Sequence, residues 1–210
     1  METFIKNLAR GAGKILRDGF HRKKKIRQKT GFWNLVTNYD LASEKFIKDK
    51  ISARFPEDAI LAEESGLKNK NAQKERLWIV DPLDGTLAFA KGIAQFSVSI
   101  AFVNYETIQF GAIYDPIHDE LFFARRGKGA FLNRHRIVVA KLKDLTHVEI
   151  AVDVTSAPSG RKKVYDLVLK YNLMPDCLRS TALTAAYVSN GRLDGIISNG
   201  AYPWDIQRQL

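Results

Sequence analysis

The order of helices and strands read from the sequence predicts an α/β protein. Apolar residues recur at helical spacing near the amino terminus and again before Pro56, which predicts two helices. From Gln95 onward, short runs alternate apolar and polar side chains between turn residues, as in an antiparallel meander. Strand and helix patterns alternate in the remainder of the chain. We therefore predict an α+β half over residues 1–142 and an α/β half over residues 143–210.

The first two helices have clear boundaries in the sequence. The apolar stripe of the first runs over residues 4–20, with its basic side chains facing outward. Thr37 or Asn38 can cap the second helix, because their side-chain oxygens accept hydrogen bonds from free backbone N–H groups. The second helix is expected to end at Phe55, since the residue before a proline disfavours helical geometry. The segment 29–34 between the two helices is predicted to be a loop.

The next segments lead to a central strand. Residues 59–62 form a short apolar run that ends in Glu63, and the polar residues 67–76 are predicted to be a loop. Residues 77–80 form a continuous apolar run, which is typical of a buried strand. The further predicted elements are the meander strands, a strand at 148–154, helices at 160–171 and 180–190, a strand at 194–198 and a helix that begins near Trp204 and Asp205.

Two carboxylates stand at the end of this central strand. Because Pro82 has no backbone N–H, the strand is predicted to stop near Asp81. Asp81 and Asp84 would repel each other unless a cation lay between them, and oxygen ligands favour Mg²⁺ or Mn²⁺ over Zn²⁺. Gly85 and Thr86 follow, where backbone N–H groups can face an anion. A metal site beside an anion site indicates phosphate chemistry, and an ordinary acidic turn is the alternative.

Composition narrows the class of protein. The chain has 210 residues, 45% hydrophobic and 27% charged, as in a folded globular protein rather than a disordered one. No run approaches the roughly 18 apolar residues that a membrane span needs, which predicts a cytoplasmic protein with no membrane partner. The one cysteine, Cys177, excludes an internal disulfide. The four histidines show no metal-ligand spacing, which argues against a histidine zinc site.

The net charge of +10 is concentrated at the amino terminus. Ten Lys and Arg residues against two acidic residues lie within the first 29 positions. The basic run from Arg22 to Arg27 can attract RNA, an acidic partner or an anionic substrate. The alternative is a solvated helix end, which is what most charge runs are.

Six motifs occur in order along the chain. They are residues 35–40, Glu63-Glu64-Ser65, residues 78–86, residues 111–116, residues 191–194 and Trp204-Asp205. Together they resemble the motifs of the inositol monophosphatase family of Mg²⁺-dependent, lithium-sensitive sugar phosphatases, which includes bacterial extragenic-suppressor proteins. The resemblance covers nearly the whole chain. It implies a layered αβαβα sandwich, a homodimer, and hydrolysis of a small phosphate monoester, such as inositol 1-phosphate or a related sugar or polyol phosphate, to an alcohol and inorganic phosphate.

The resemblance also implies a metal site with two or three Mg²⁺ ions. The first ion would be held by Glu63, Asp81 and the carbonyl of Leu83. The second would be held by Asp81, Asp84 and Asp205, and a third, loosely, through Glu63. Most of these ligands fall in the first half of the chain, and the second half contributes Asp205. Carboxylates from separate segments that converge in this way can activate water for attack on a phosphate.

Catalytic and substrate-binding roles follow from the same resemblance. Asp40, Glu63 and Thr86 would be catalytic, with Asp40 accepting a hydrogen bond from the Thr86 hydroxyl so that Thr86 and Glu63 orient and deprotonate the attacking water. Substrate contacts are implied for Lys29, Gly85, Thr86 and Ser180.

Some positions depart from the family pattern. Arg179 stands where the pattern has glycine, in a segment that lines the alcohol pocket, and Ser198 stands where inositol phosphatases carry a glutamate. Specificity for inositol is therefore not predicted. Histidinol-phosphate, fructose-bisphosphate and adenosine 3',5'-bisphosphate phosphatases are alternatives within the same chemistry.

The resemblance leaves two alternatives of other classes. Family members usually continue well beyond the Trp204-Asp205 pair, so the chain is expected to be a C-terminally truncated form, and an inactive truncated form is one alternative. Bacterial relatives also act in ribosomal RNA transcription. A non-catalytic protein that binds RNA or the transcription machinery through the basic amino-terminal segment is the other alternative.

Overall fold

The computed structural model describes residues 1–29, 34–68, 73–142, 148–153 and 160–198. The helices in these ranges are α1 (Glu2–Phe20), α2 (Asn38–Arg54), α3 (Thr86–Lys91), α4 (Arg161–Lys170) and α5 (Thr181–Ser189). The strands are β1 (Ile26–Gln28), β2 (Leu35–Thr37), β3 (Asp58–Ala62), β4 (Gly66–Lys68), β5 (Gln73–Asp84), β6 (Ser97–Asn104), β7 (Thr107–Asp115), β8 (Glu120–Arg125), β9 (Gly129–Leu132), β10 (His135–Ile137), β11 (Glu149–Asp153), β12 (Met174–Asp176) and β13 (Gly195–Ser198).

Most strands belong to one eight-stranded sheet with the order β10-β9-β8-β7-β6-β5-β3-β4. Its neighbours are antiparallel except β3 and β5, which run parallel. Side chains alternate between the faces as the period of two requires: Leu121 and Phe123 enter one core cluster and Phe122 enters another. The predicted antiparallel meander is therefore confirmed.

Helices α1 and α2 cover one face of this sheet. The predicted apolar stripe of α1 is buried, and together with Trp78, Val80 and Ile100 from the sheet it forms the largest core cluster. Thr37 caps α2 through a capping box with Asp40, as the sequence indicated for Thr37. α1 approaches its neighbours closely where it has glycine: a Cβ at Gly19 would lie 2.2 Å from the Tyr39 ring.

Helix α5 covers the other face and separates the two larger sheets. Its Leu183 and Ala186 pack with Phe122 of the large sheet. On its far side lies a parallel sheet with the order β12-β11-β13, and α4 packs beyond that sheet through Val164 and Val168. The layers are thus helix, sheet, helix, sheet and helix, which confirms the α/β class and the layered αβαβα sandwich.

Several local predictions need correction. β5 continues past Asp81 to Asp84, because the ladder with β6 skips Pro82 and Leu83 through a register shift and resumes at the pair Asp84 and Ser97. Part of the basic run forms β1, which pairs with β2, and β4 and the start of β5 occupy part of the predicted loop at 67–76. β12 was also missed. These strands are three residues long or polar, so periodicity cannot reveal them.

The structure does not test two other predictions. The helix expected near Trp204 and Asp205 lies outside the described residues. The division of the chain at residue 142 stays a prediction.

None of the helices in the described ranges combines the length and the apolar character that a bilayer crossing would need.

Candidate active site

The site begins where the parallel pairing of β3 with β5 ends. β3 and β5 pair in register so that Ala62 is opposite Val80, and the N–H of Glu63 donates to the carbonyl of Val80 at 3.1 Å. Because parallel strands point the same way, the residues that follow the last pair lie next to each other at one edge of the sheet. Glu63 and Asp81 therefore lie side by side, Glu63 partly exposed and Asp81 buried.

The turn after Asp81 is held by specific hydrogen bonds. The N–H of Leu83 donates to Asp81 Oδ1 at 3.0 Å, and the Ser43 hydroxyl donates to the Pro82 carbonyl at 2.8 Å. Gly85 has φ +91°, and a Cβ there would lie 2.8 Å from the carbonyl oxygen of Gln95. Only glycine fits this position without strain, because it combines the left-handed backbone with a close backbone contact.

Asp40 and Thr86 come into contact although 46 residues separate them. The Thr86 hydroxyl lies 2.9 Å from Asp40 Oδ1 and 2.9 Å from the Leu83 carbonyl oxygen, while the N–H of Thr37 donates to Asp40 Oδ2 at 2.8 Å. Burial raises the pKa of Asp40, and the hydrogen bonds from Thr37 and Thr86 oppose that rise. The structure thus places together the two residues for which the sequence predicted a proton relay.

Lys29 faces carboxylates at the rim of the site. Its Nζ lies 3.0 Å from Glu63 Oε1 and 2.6 Å from Glu64 Oε1. Burial raises the pKa of Glu64 to about 7, although the hydrogen bond from Lys29 lowers it. Burial acts to lower the pKa of Lys29, but hydrogen bonds and charges from Glu64 and Glu63 raise it. The predicted phosphate-binding lysine is close to Glu63, and no sequence signal indicated its pairing with Glu64.

Asp84 links the large sheet to α5. Its buried carboxylate accepts hydrogen bonds from the Ser180 hydroxyl, from the Thr181 N–H at 3.1 Å and from the Ala182 N–H at 2.8 Å. Burial raises the pKa of Asp84 to about 6, and these hydrogen bonds oppose the rise. The positive end of the helix dipole also favours the carboxylate. Ser180, predicted to contact substrate, thus caps α5 and binds Asp84. The sequence could have indicated the cap, because Ser180 stands at the predicted start of that helix.

The donor chemistry suits a hard divalent cation. Asp81 and Asp84 are buried carboxylates, and the Leu83 carbonyl of the same turn and the carboxylate of Glu63 are further oxygen donors of the kind that such a cation prefers. In the described ranges, however, no three His, Cys, Asp or Glu side chains converge closely enough to hold a metal ion. In this structure Asp84 instead directs both oxygens to donors of α5 and Ser180. The predicted ligand Asp205 lies outside the described residues.

The fold and this constellation define the class of protein. The family model described as "Inositol monophosphatase family" matches residues 1–207. The chain therefore belongs to the inositol monophosphatase family, as the motifs indicated.

Individual relatives agree with this assignment. The chain is 37% identical to the Nus factor SuhB of Pasteurella multocida over 94% of this chain and 76% of that protein. It is 36% identical to the fructose-1,6-bisphosphatase/inositol-1-monophosphatase of Thermotoga maritima over 99% of this chain and 78% of that protein. The crystal structure of the extragenic suppressor protein suhB from Bartonella henselae superposes with a TM-score of 0.91 at 32% identity, covering 97% of this chain and 80% of that one.

A more distant structure shares the fold and contains a metal. It is an IMPase/NADP phosphatase complexed with Mg²⁺ and phosphate, 24% identical, with a TM-score of 0.81 over 95% of this chain and 74% of that one. At this identity the likeness shows the fold alone.

Proposed function

We propose that the chain is a phosphoric monoester hydrolase that depends on a divalent cation, Mg²⁺ being the natural candidate. Membership of the inositol monophosphatase family supports a phosphatase. The observation that carries the proposal is that Asp40 accepts a hydrogen bond from Thr86, in the turn that follows Asp81, at the edge where the pairing of β3 with β5 ends. A purely structural acidic turn would not require Thr86 to be held by Asp40 across 46 residues.

We propose the same ligands for two or three Mg²⁺ ions as the family resemblance implied. Glu63, Asp81 and the Leu83 carbonyl would hold the first, Asp84 and Asp205 would complete the second with Asp81, and Glu63 would contact a third. When bound, Mg²⁺ supplies Lewis-acid stabilisation of phosphoryl oxygens and lowers the pKa of water. Because Asp84 is hydrogen-bonded to α5, its role at the metal requires those contacts to be shared or rearranged.

The chain's own groups position the reactants and move a proton. Asp40 accepts a hydrogen bond from the Thr86 hydroxyl, which leaves the lone pairs of the Thr86 oxygen free to accept a hydrogen bond from water. Glu63 is partly exposed beside Asp81 and can take the proton that this water loses. The N–H groups of Gly85 and Thr86, with Lys29, would contact the phosphate oxygens. The products are inorganic phosphate and an alcohol.

The test is phosphate release from a panel of phosphate monoesters, namely inositol 1-phosphate, fructose phosphates, histidinol phosphate and adenosine 3',5'-bisphosphate. Release with Mg²⁺ that stops with EDTA is expected. Thr86→Val, which removes only the hydroxyl, should lower kcat by about 10²-fold or more, the usual contribution of a proton-transfer group. Thr86→Ser keeps the hydroxyl and should retain most activity. A folded protein that releases no phosphate from any of these substrates would contradict the proposal.

A second candidate function is binding to RNA or to the transcription machinery. The relative from Pasteurella multocida is named a Nus factor, and the specific observation in this chain is the exposure of the basic segment around β1. Arg22, Lys23, Lys25 and Arg27 are exposed, whereas Lys24 lies over the Phe20 ring and is partly buried. A polyanion could contact the exposed members without disturbing the core.

The test of this second function is salt dependence. Glutamine at Lys23, Lys25 and Arg27 should weaken binding of a ribosomal leader RNA and reduce the slope of log K against log salt by roughly 2 to 3, about 0.7–0.9 for each phosphate that is no longer neutralised. A matched control removes three exposed charges at the turns flanking β9, namely Arg126, Lys128 and Arg134. Equal decreases in affinity for both triple variants would indicate general attraction by net charge and would refute this interface.

Assembly as a homodimer is a further proposal, taken from the family resemblance. Sedimentation equilibrium should give twice the chain mass of 23.7 kDa. A concentration-independent monomer would contradict it.

A further inference from the structure

Arg179 has an unusual backbone conformation directly before α5. Its φ is +61°, in the left-handed region that favours glycine, and residues with a Cβ occupy it only at a cost. Its side chain is exposed. Throughout the part of the chain that the structure describes, the Arg179 guanidinium makes no hydrogen bond or ion pair. An unpaired cation thus stands on a strained backbone, and strained backbone conformations cluster at functional sites.

The backbone of Arg179 lies at the edge of the candidate active site. Its carbonyl oxygen would lie 3.2 Å from a Cβ built on Gly85, so its backbone touches the turn that follows Asp84. The next residue, Ser180, donates its hydroxyl to Asp84. A long, exposed side chain that starts here can reach a molecule bound at the Gly85 and Thr86 turn.

We propose that Arg179 is a specificity residue that pairs with a second anionic group of the substrate, a phosphate or a carboxylate on the part that becomes the alcohol. This inference rests on the proposed phosphatase function. Lys29, a second cation at the site, is paired with Glu63 and Glu64. Arg179 has no such partner in the described ranges. A substrate whose alcohol part is uncharged would not supply a negatively charged partner either. Its planar guanidinium suits bidentate contact with phosphate or carboxylate oxygens.

The test compares substrates that differ by one anionic group. One pair is fructose 1-phosphate and fructose 1,6-bisphosphate, and the other is glycerol 3-phosphate and 3-phosphoglycerate. The key variant is Arg179→Gly, which suits a φ of +61° and so should fold at least as well as the parent. Arg179→Lys keeps a charge without the planar fork, and Arg179→Asn tolerates the backbone without a charge.

Arg179→Gly and Arg179→Asn should each lower kcat/KM by about tenfold or more for the substrate with the second anion, the effect of losing a hydrogen bond to a charged group. Both should change kcat/KM for the matched substrate less than about twofold, and Arg179→Lys should be intermediate. A decrease confined to one pair identifies the anion as phosphate or carboxylate. Equal effects on both members of each pair, or no effect on either, would overturn the inference.

A binding measurement separates this inference from the proposed function. Isothermal titration calorimetry with Ca²⁺ in place of Mg²⁺ compares binding of the same ligand pairs to the parent and to Arg179→Gly. If the parent releases no phosphate at all, the proposed hydrolysis fails. The inference about Arg179 then stands if the variant loses affinity only for the ligand with the second anion, and it falls if both ligands bind the two proteins alike.

Discussion

Replacing Ser180 with alanine should weaken the attachment of α5 to the large sheet. The Ser180 hydroxyl donates to the buried Asp84 carboxylate, and its oxygen accepts from the Leu183 N–H at 3.3 Å. Losing a helix cap costs about 1 kcal/mol, and losing a hydrogen bond to a charged group about 1.5–3 kcal/mol. One hydroxyl makes both contacts, and the N–H groups of Thr181 and Ala182 still bind Asp84. The two costs are therefore not fully additive, and we expect a decrease of about 2–3 kcal/mol in the free energy of unfolding.

Urea denaturation followed by far-UV circular dichroism measures this decrease. The experiment is done at pH 8, above the pKa of about 6 for Asp84, so that its carboxylate is charged in the folded protein. Ser189→Ala is the matched control, because among the described residues the Ser189 hydroxyl donates only to the Ala186 carbonyl of the same helix, at 2.7 Å. That change should alter stability by less than about 0.5 kcal/mol. If Ser180→Ala lowered the free energy of unfolding no more than the control does, the hydrogen bonds of the Ser180 hydroxyl would not contribute to stability.

Two further predictions concern the main hydrophobic core. Asp58→Ala should lower the free energy of unfolding by about 2–4 kcal/mol, because Asp58 accepts from the buried Trp78 indole N–H at 2.9 Å and pairs with Arg76. Asp58→Asn keeps an acceptor for Trp78 and should be less destabilising in the same urea measurement; an equal effect would contradict the role of that hydrogen bond. Gly19→Ala should be destabilising by about 1–2 kcal/mol, since overpacking against the Tyr39 ring outweighs the helix propensity of alanine. A higher melting temperature for Gly19→Ala would show that Tyr39 moves aside easily.

Local signals predicted much of the fold. The two long helices, the meander and the alternation after it were predictable because the periodicity of apolar residues reflects which face of an element is buried. The same local signals placed Glu63 after one strand and Asp84 near the end of another, although that strand was expected to stop near Asp81 and continues to Asp84. Short elements escaped prediction, since β1, β4 and β12 owe their conformation to a neighbouring strand rather than to their own pattern.

What the sequence by itself determined is therefore the set of longer elements and the chemical character of the turn from Asp81 to Thr86. Only the tertiary structure decided the partners of those residues. Asp84 meets Ser180 across 96 positions, and Lys29 meets Glu64 across 35. The left-handed backbone of Arg179 is likewise seen only in the structure. The physical reason is that periodicity reports the burial of a face, whereas the pairing of charges depends on how separate layers pack together.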